Sequence, residues 1–115
     1  MTTVVNITKE KCDVYIGRWG NVNIGVRHLM NTPIGQKGWL GNPHPIEKYG
    51  REGCIALFKE DFEHRLKEPD FLKAVLDLKG KKLGCYCVPL ACHGNIIANF
   101  LNYPDKFFWG ENANT

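Results

Sequence analysis

The chain has 115 residues, 43% of them hydrophobic and 23% charged, which suits one globular domain and excludes two of ordinary size. Its aromatic anchors and Val/Ile/Leu runs exclude intrinsic disorder, and its longest apolar run falls far short of the roughly 20 residues of a membrane span. A net charge of +3 from interleaved residues makes no strong case for DNA or RNA, and it leaves a small anionic ligand open.

The first residues, Met1-Thr2-Thr3-Val4-Val5, lack the basic region and apolar stretch of a signal peptide, so a cytoplasmic domain over residues 1–115 is expected. Five cysteines in that setting argue for thiols, and an odd number cannot pair completely within one chain. Cys12 and Cys54 stand alone and read as small core residues, whereas Cys85, Cys87 and Cys92 crowd together.

In chain order, Thr3–Ile7 is a short β-branched run and predicts a strand. Asp13–Arg18 predicts another, ending at Gly17. The glycine-rich stretch from Trp19 to Tyr49 holds Pro33, Pro43 and Pro45, which exclude continuous helix. Residues 23–26 suggest a third strand or hairpin arm, and the aromatic content of the stretch predicts a packed, functional loop. From Arg51, Cys54, Ile55, Phe58, Phe62 and Leu66 recur at helical spacing and predict an amphipathic helix. Pro69 breaks it, Asp70 is placed to cap a shorter helix through Leu78, and Gly80 ends that helix. Lys82–Cys87 predicts a strand, residues 88–92 a tight loop, and His93 the start of a last helix with Ile96, Ile97, Phe100 and Leu101 on its buried side. The order β-β-loop-α-α-β-α favours a small, mainly parallel α/β sheet with helices packed on it. Ligands in such sheets sit beyond the strand carboxyl ends, where Gly17-Arg18 and the Cys87–His93 loop both fall.

Several groups could carry chemistry. Cys85, Cys87, Cys92 and His93 could bind zinc as three thiolates and an imidazole, but no Cys-x2-Cys knuckle is present and Cys92 and His93 would diverge. Without that site no cofactor is expected, and Cys85 is a core thiol. The helix beginning at His93 offers backbone N–H groups and a positive dipole to a phosphate, with Gly94 permitting close approach and Asn95 able to bond a ribose or base; the alternative is that Cys92 or His93 only caps the helix. Cys92 beside an imidazole at a helix start is a candidate nucleophile. Gly41-Asn42-Pro43 fixes a turn that presents the Asn42 amide. Arg51 opposes the dipole at its helix start, so it is either an arginine clamp for an anion or half of a surface pair with Glu52.

Val4-Val5-Asn6, Asp13–Arg18, Gly41-Asn42-Pro43, Arg51-Glu52, Lys82-Leu83 and Cys85-x-Cys87-x-Pro89-x2-Cys92-His93-Gly94 together resemble the family called domain of unknown function 4326, frequent in bacteriophage and bacterial genomes. The likeness runs from about residue 4 to residue 101. It implies a compact Rossmann-like fold in a phage setting, and the strand–Cys-loop–helix ending is also similar to Rossmann-like nucleotide-associated domains. The family pattern carries Asp after Cys-His-Gly where this chain has Asn95, and an amide does not titrate, which favours binding over hydrolysis.

The expectation is therefore a small binder of a nucleotide or ADP-ribose-like signal. The site would be built from Gly17, Arg18, Trp39, Asn42, Arg51, Cys87, His93, Gly94 and Asn95, with Trp39 or Trp19 stacking on the base. An enzyme cleaving an N-glycosidic or phosphoester bond, with Glu52, Cys92 and His93 as acid–base or nucleophilic groups, is the first alternative. A zinc-stabilised interaction module is the second. The apolar Phe107-Phe108-Trp109 in the tail, residues 102–115, suggests a homo-oligomer.

Overall fold

The structure is a computed structural model that describes residues 1–21, 23 and 25–106. Strand β1 (Thr3–Asn6) is followed by β2 (Val14–Tyr15), then by β3 (Trp19–Asn21) and β4 (Gly25–Arg27). Helices α1 (Ile46–Arg65) and α2 (Pro69–Leu76) precede β5 (Lys82–Cys85) and α3 (His93–Asn102). Three strands form a parallel sheet in the order β1-β5-β2, while β3 and β4 pair antiparallel as a separate hairpin. The mainly parallel α/β architecture expected from the element order is therefore present.

Register decides what each face of the sheet does. Val4 and Val14 both stand beside Leu83, so their side chains share one face with it. That face meets the helices: Leu83 is fully buried, and Val4 and Val14 pack against the same core. On the opposite face the chain between β1 and β2, residues 7–13, crosses the central strand. A Cβ added to Gly84 would lie 2.4 Å from Cys12 Sγ and 2.5 Å from Ile7 Cγ2, so only glycine admits this crossover. Parallel crossovers usually need a dozen or more residues. Strands of two to four residues shorten the return journey enough for this segment to complete it.

The helical layer is aromatic. Phe58 and Phe62 stack at 5.8 Å, and Phe62 meets Phe71 and Phe100 edge-on at 6.0 and 5.8 Å. Gly50, at φ 72°, interrupts α1, so the regular helix runs from Arg51 as the apolar spacing predicts. α1 ends at Arg65, short of Pro69, which instead opens α2, and Glu68, not Asp70, occupies the N-cap. Proline suits the first helical position because its missing N–H would be unpaired there in any case. Asp70 lies in the first turn, where its charge complements the dipole.

Two strands are shorter than their sequence runs. Asp13–Arg18 contributes only Val14–Tyr15, and β5 stops at Cys85 rather than Cys87. The reason is Asn6, whose Nδ2 donates to Val88 O at 2.8 Å and to Tyr86 O at 3.3 Å, drawing the chain out of the ladder after Cys85. Residues 28–41 fold as successive turns packed through buried Leu29, Trp39 and Leu40. The aromatic Phe107-Phe108-Trp109 lies outside the described residues.

Candidate functional site

A cleft of about 500 Å³ opens beyond the carboxyl ends of β2 and β5. One wall is the Gly17-Arg18 turn, another is the start of the regular part of α1 at Arg51, and the third is the segment from Cys85 to His93. Asn42, Cys54 and Glu47 complete the lining. Arg18 and Arg51 bring two guanidinium groups to the lining and Glu47 one carboxylate.

The two arginines are held differently. Arg51 Nη1 donates to Ala91 O at 2.8 Å, tying the start of the helix to the cysteine loop, and among the described residues it forms no ion pair with Glu52 or another carboxylate. Arg18 is exposed, and its guanidinium makes no hydrogen bond or ion pair among the described residues. Its backbone is pinned instead: a Cβ on Gly41 would stand 2.9 Å from Arg18 Cα, so glycine there lets the two segments touch.

The thiols form the floor. Of the five cysteines, Cys54, Cys85, Cys87 and Cys92 all line the cleft. Cys85 and Cys92 are each only 3% exposed, and their sulfurs approach to 3.2 Å. Either sulfur can serve as the S–H donor in this contact, and the backbones of Cys87 and Val88 and the Cys87 side chain also act on the Cys85 sulfur. These bonds favour the thiolate and bring Cys85 down to about 6, against the burial that opposes its charge. The contact with Cys85 and burial push Cys92 up. Cys85 is a buried core thiol, as expected from the sequence, and its sulfur stands against that of Cys92, the expected nucleophile. Cys54 is buried as expected, yet it belongs to this cluster. Helical spacing alone could not have brought it there.

His93 turns away from the thiols. Its Nε2 donates to Ile16 O at 2.7 Å, and its ring meets Phe58 edge-on at 4.9 Å. Burial lowers its pKa against the backbone carbonyls beside it, so the ring is neutral. In this arrangement Cys85, Cys87, Cys92 and His93 do not converge on one point, and among the described residues no group of three or more His, Cys, Asp or Glu is disposed to hold a metal ion.

Other expected residues are occupied in building the scaffold. The N–H of Cys92 donates to Asn95 Oδ1 at 2.8 Å, so the Asn95 side chain caps α3. Gly94 is buried beneath Ile16, whose Cδ1 would lie 2.5 Å from an added Cβ. Asn42 Nδ2 donates to Cys54 O at 3.0 Å, while its Oδ1 accepts from His44 N at 2.9 Å. Trp39 is 7% exposed and packs edge-on against Phe71, whereas Trp19 is exposed beneath the Lys37 ammonium, 4.1 Å from its ring centroid. Neither tryptophan lines the cleft, and nor does exposed Glu52.

Sequence reasoning missed Glu47, His44 and Tyr86, which do line it. His44 Nε2 donates to Asp61 Oδ2 at 2.7 Å and its ring abuts Tyr49. The pair is separated by 17 positions, and no local pattern announces it.

These features define a small α/β protein with a thiol-floored cleft, flanked by two arginines, at the end of a parallel sheet. The chain belongs to the family described as Domain of unknown function (DUF4326), whose model matches residues 4–103. It is 51% identical over 95 residues to the "Uncharacterized 12.4 kDa protein in nrdA-td intergenic region" of Enterobacteria phage T4, covering 80% of this chain and 88% of that one. It is also 26% identical over 106 residues to "Uncharacterized protein R718" of Acanthamoeba polyphaga mimivirus, covering 85% of this chain and 73% of that one. No solved structure matches it significantly. Among the described residues no helix is long and apolar enough to cross a membrane.

Proposed function

We propose that the cleft binds a small phosphate-bearing ligand, a nucleotide or an ADP-ribose-like molecule, and that the sheet is Rossmann-like in use as well as in outline. The observation that carries this reading is the Arg18 guanidinium, which lines the cleft without a hydrogen-bond or ion-pair partner among the described residues, while Arg51 stands on the opposite wall. Two guanidiniums suit an anion that accepts several charge-assisted hydrogen bonds, and phosphate is the commonest such group. Arg51 would supply its remaining donors while keeping its bond to Ala91. Tyr86, 63% exposed at the rim, takes the place first given to tryptophan as the surface for a base. In a phage setting, a binder of this size would sequester a host nucleotide signal in the cytoplasm, and a second copy would join it through the aromatic tail.

Calorimetric titration with ADP-ribose, ATP and inorganic phosphate tests the reading. Arg18→Ala should weaken binding roughly ten- to a hundredfold with unfolding unchanged, because one charge-assisted contact is lost and no internal bond is broken. Arg51→Ala should lose both affinity and thermal stability. If none of the three ligands binds, or if Arg18→Ala binds as the parent does, the reading is wrong. Recovery of cleaved products after incubation would move the protein to the enzyme alternative.

A further inference from the structure

We propose that Cys85 and Cys92 are a redox-active dithiol, which reduces a low-molecular-weight disulfide and closes reversibly to an intramolecular disulfide at the floor of the cleft. This inference goes beyond the ligand reading and does not rest on it. Three observations carry it. The sulfurs already stand 3.2 Å apart, so bonding needs an approach of only about 1.2 Å, to the roughly 2.0 Å of a disulfide. Both residues line a cleft open to solvent, which gives a small reagent a route to sulfurs that are otherwise buried. Both backbones are held in place, Cys85 by its pairing with Asn6 in the central strand and Cys92 by its N–H bond to Asn95 Oδ1 at the start of α3.

The two sulfurs have unequal surroundings, and this sets the direction of attack. The Cys85 thiol is held below its ordinary value, chiefly by its contact with Cys92 and against its burial, and under the proposal it makes the first attack. It attacks one sulfur of glutathione disulfide, forms a Cys85–glutathione bond and expels one glutathione thiolate, which takes the Cys92 proton. The Cys92 sulfur then attacks Cys85 Sγ and expels the second glutathione as its thiolate, which solvent protonates. Two electrons pass from the protein to the glutathione, and one S–S bond has moved. Cys87 is only partly buried and its side chain is a further neighbour of the Cys85 sulfur, so a Cys85–Cys87 cross-link in place of Cys85–Cys92 would also overturn the proposal.

The test uses the folded full-length chain, equilibrated in glutathione buffers of graded ratio, quenched in acid, alkylated with N-ethylmaleimide and mapped by mass spectrometry. The expected result is the paired loss of two alkylatable thiols and a cross-linked Cys85–Cys92 peptide, fully reversed by reductant. Cys92→Ser should trap glutathione on Cys85, and Cys85→Ser should trap none at Cys92 under the same conditions. Circular dichroism checks that both variants fold, and peptide mapping of the unaltered protein decides the matter without them. The proposal is overturned if Cys85 and Cys92 stay alkylatable at the most oxidising ratio while other thiols react. It is also overturned if glutathione settles on Cys92 in the Cys85→Ser variant, or if the thiols react only after a chelator has stripped a metal.

Discussion

Gly94 separates two accounts of the start of α3, one in which glycine admits a ligand and one in which it admits the sheet. An added Cβ would lie 2.5 Å from Ile16 Cδ1, 3.1 Å from Val4 Cγ1 and 3.3 Å from Cys92 Sγ, so the packing account predicts a clash. Overpacking of this kind costs about 1–3 kcal/mol, and alanine's better helix propensity offsets up to about 1 kcal/mol of it. Gly94→Ala should therefore destabilise the protein by about 1–2 kcal/mol in urea melts with no ligand present. Ile16 is fully buried, so Ile16→Val alone should cost about 1 kcal/mol for the lost methyl. That same methyl is the one that clashes. The double variant should consequently be about 1 kcal/mol more stable than the sum of the single changes predicts. Additivity within about 0.3 kcal/mol, or a Gly94→Ala protein as stable as the parent, would refute the packing account.

Burial holds the His93 imidazole below its ordinary 6.5, so on acidification the unfolded chain takes up its proton first. This contribution is fully present above about pH 6.5 and is lost as the pH falls toward the lowered folded-state value. The urea midpoint should fall between about pH 7 and pH 5. His93→Gln should flatten that slope, leaving the smaller share of His28, which burial also holds down. An unchanged slope would clear His93 of the effect. At Asn6, the Nδ2 bonds to the loop and the Oδ1 bonds from Thr8 N at 2.9 Å and Thr8 Oγ1 at 2.6 Å would all vanish in Asn6→Ala. The expected cost is about 1–3 kcal/mol, with faster amide exchange concentrated in residues 86–92; exchange spread evenly over the sheet would contradict the anchoring role.

Periodicity made the helices legible because their buried stripes are long and aromatic. Phe58, Phe62 and Phe100 point inward from the positions their spacing assigns, whereas buried Phe71 on α2 was not in the stripe read from the sequence. The strands were legible in place but not in length, since a side-chain bond from Asn6, far away in sequence, ends β5. The hairpin of β3 and β4 was half legible: residues 23–26 suggested one arm, and nothing marked Trp19–Asn21 as the other. At the cleft, the cysteine loop and both arginines could be read because strand carboxyl ends collect ligand-facing groups. The roles within the loop could not. Spacing does not announce that Cys85 and Cys92 bring their sulfurs to 3.2 Å. Trp39 invites a stacking role by its residue type, yet it packs on Phe71 from α2, a partner 32 positions away.

The middle strand of the sheet is the last of the five to be synthesised. Thr3 finds its partner at Lys82, and Val14 finds its own at Leu83, so neither flanking strand has a ladder to join until that point. Thr2 waits longer still, exchanging hydrogen bonds with Asn102 across 100 positions. A nascent chain must therefore carry two unpaired strand segments through most of translation, with only local helix and hairpin to shelter them. Ribosome-bound fragments ending before Lys82 should be protease-sensitive throughout, and protection should arrive in one step once α3 has emerged.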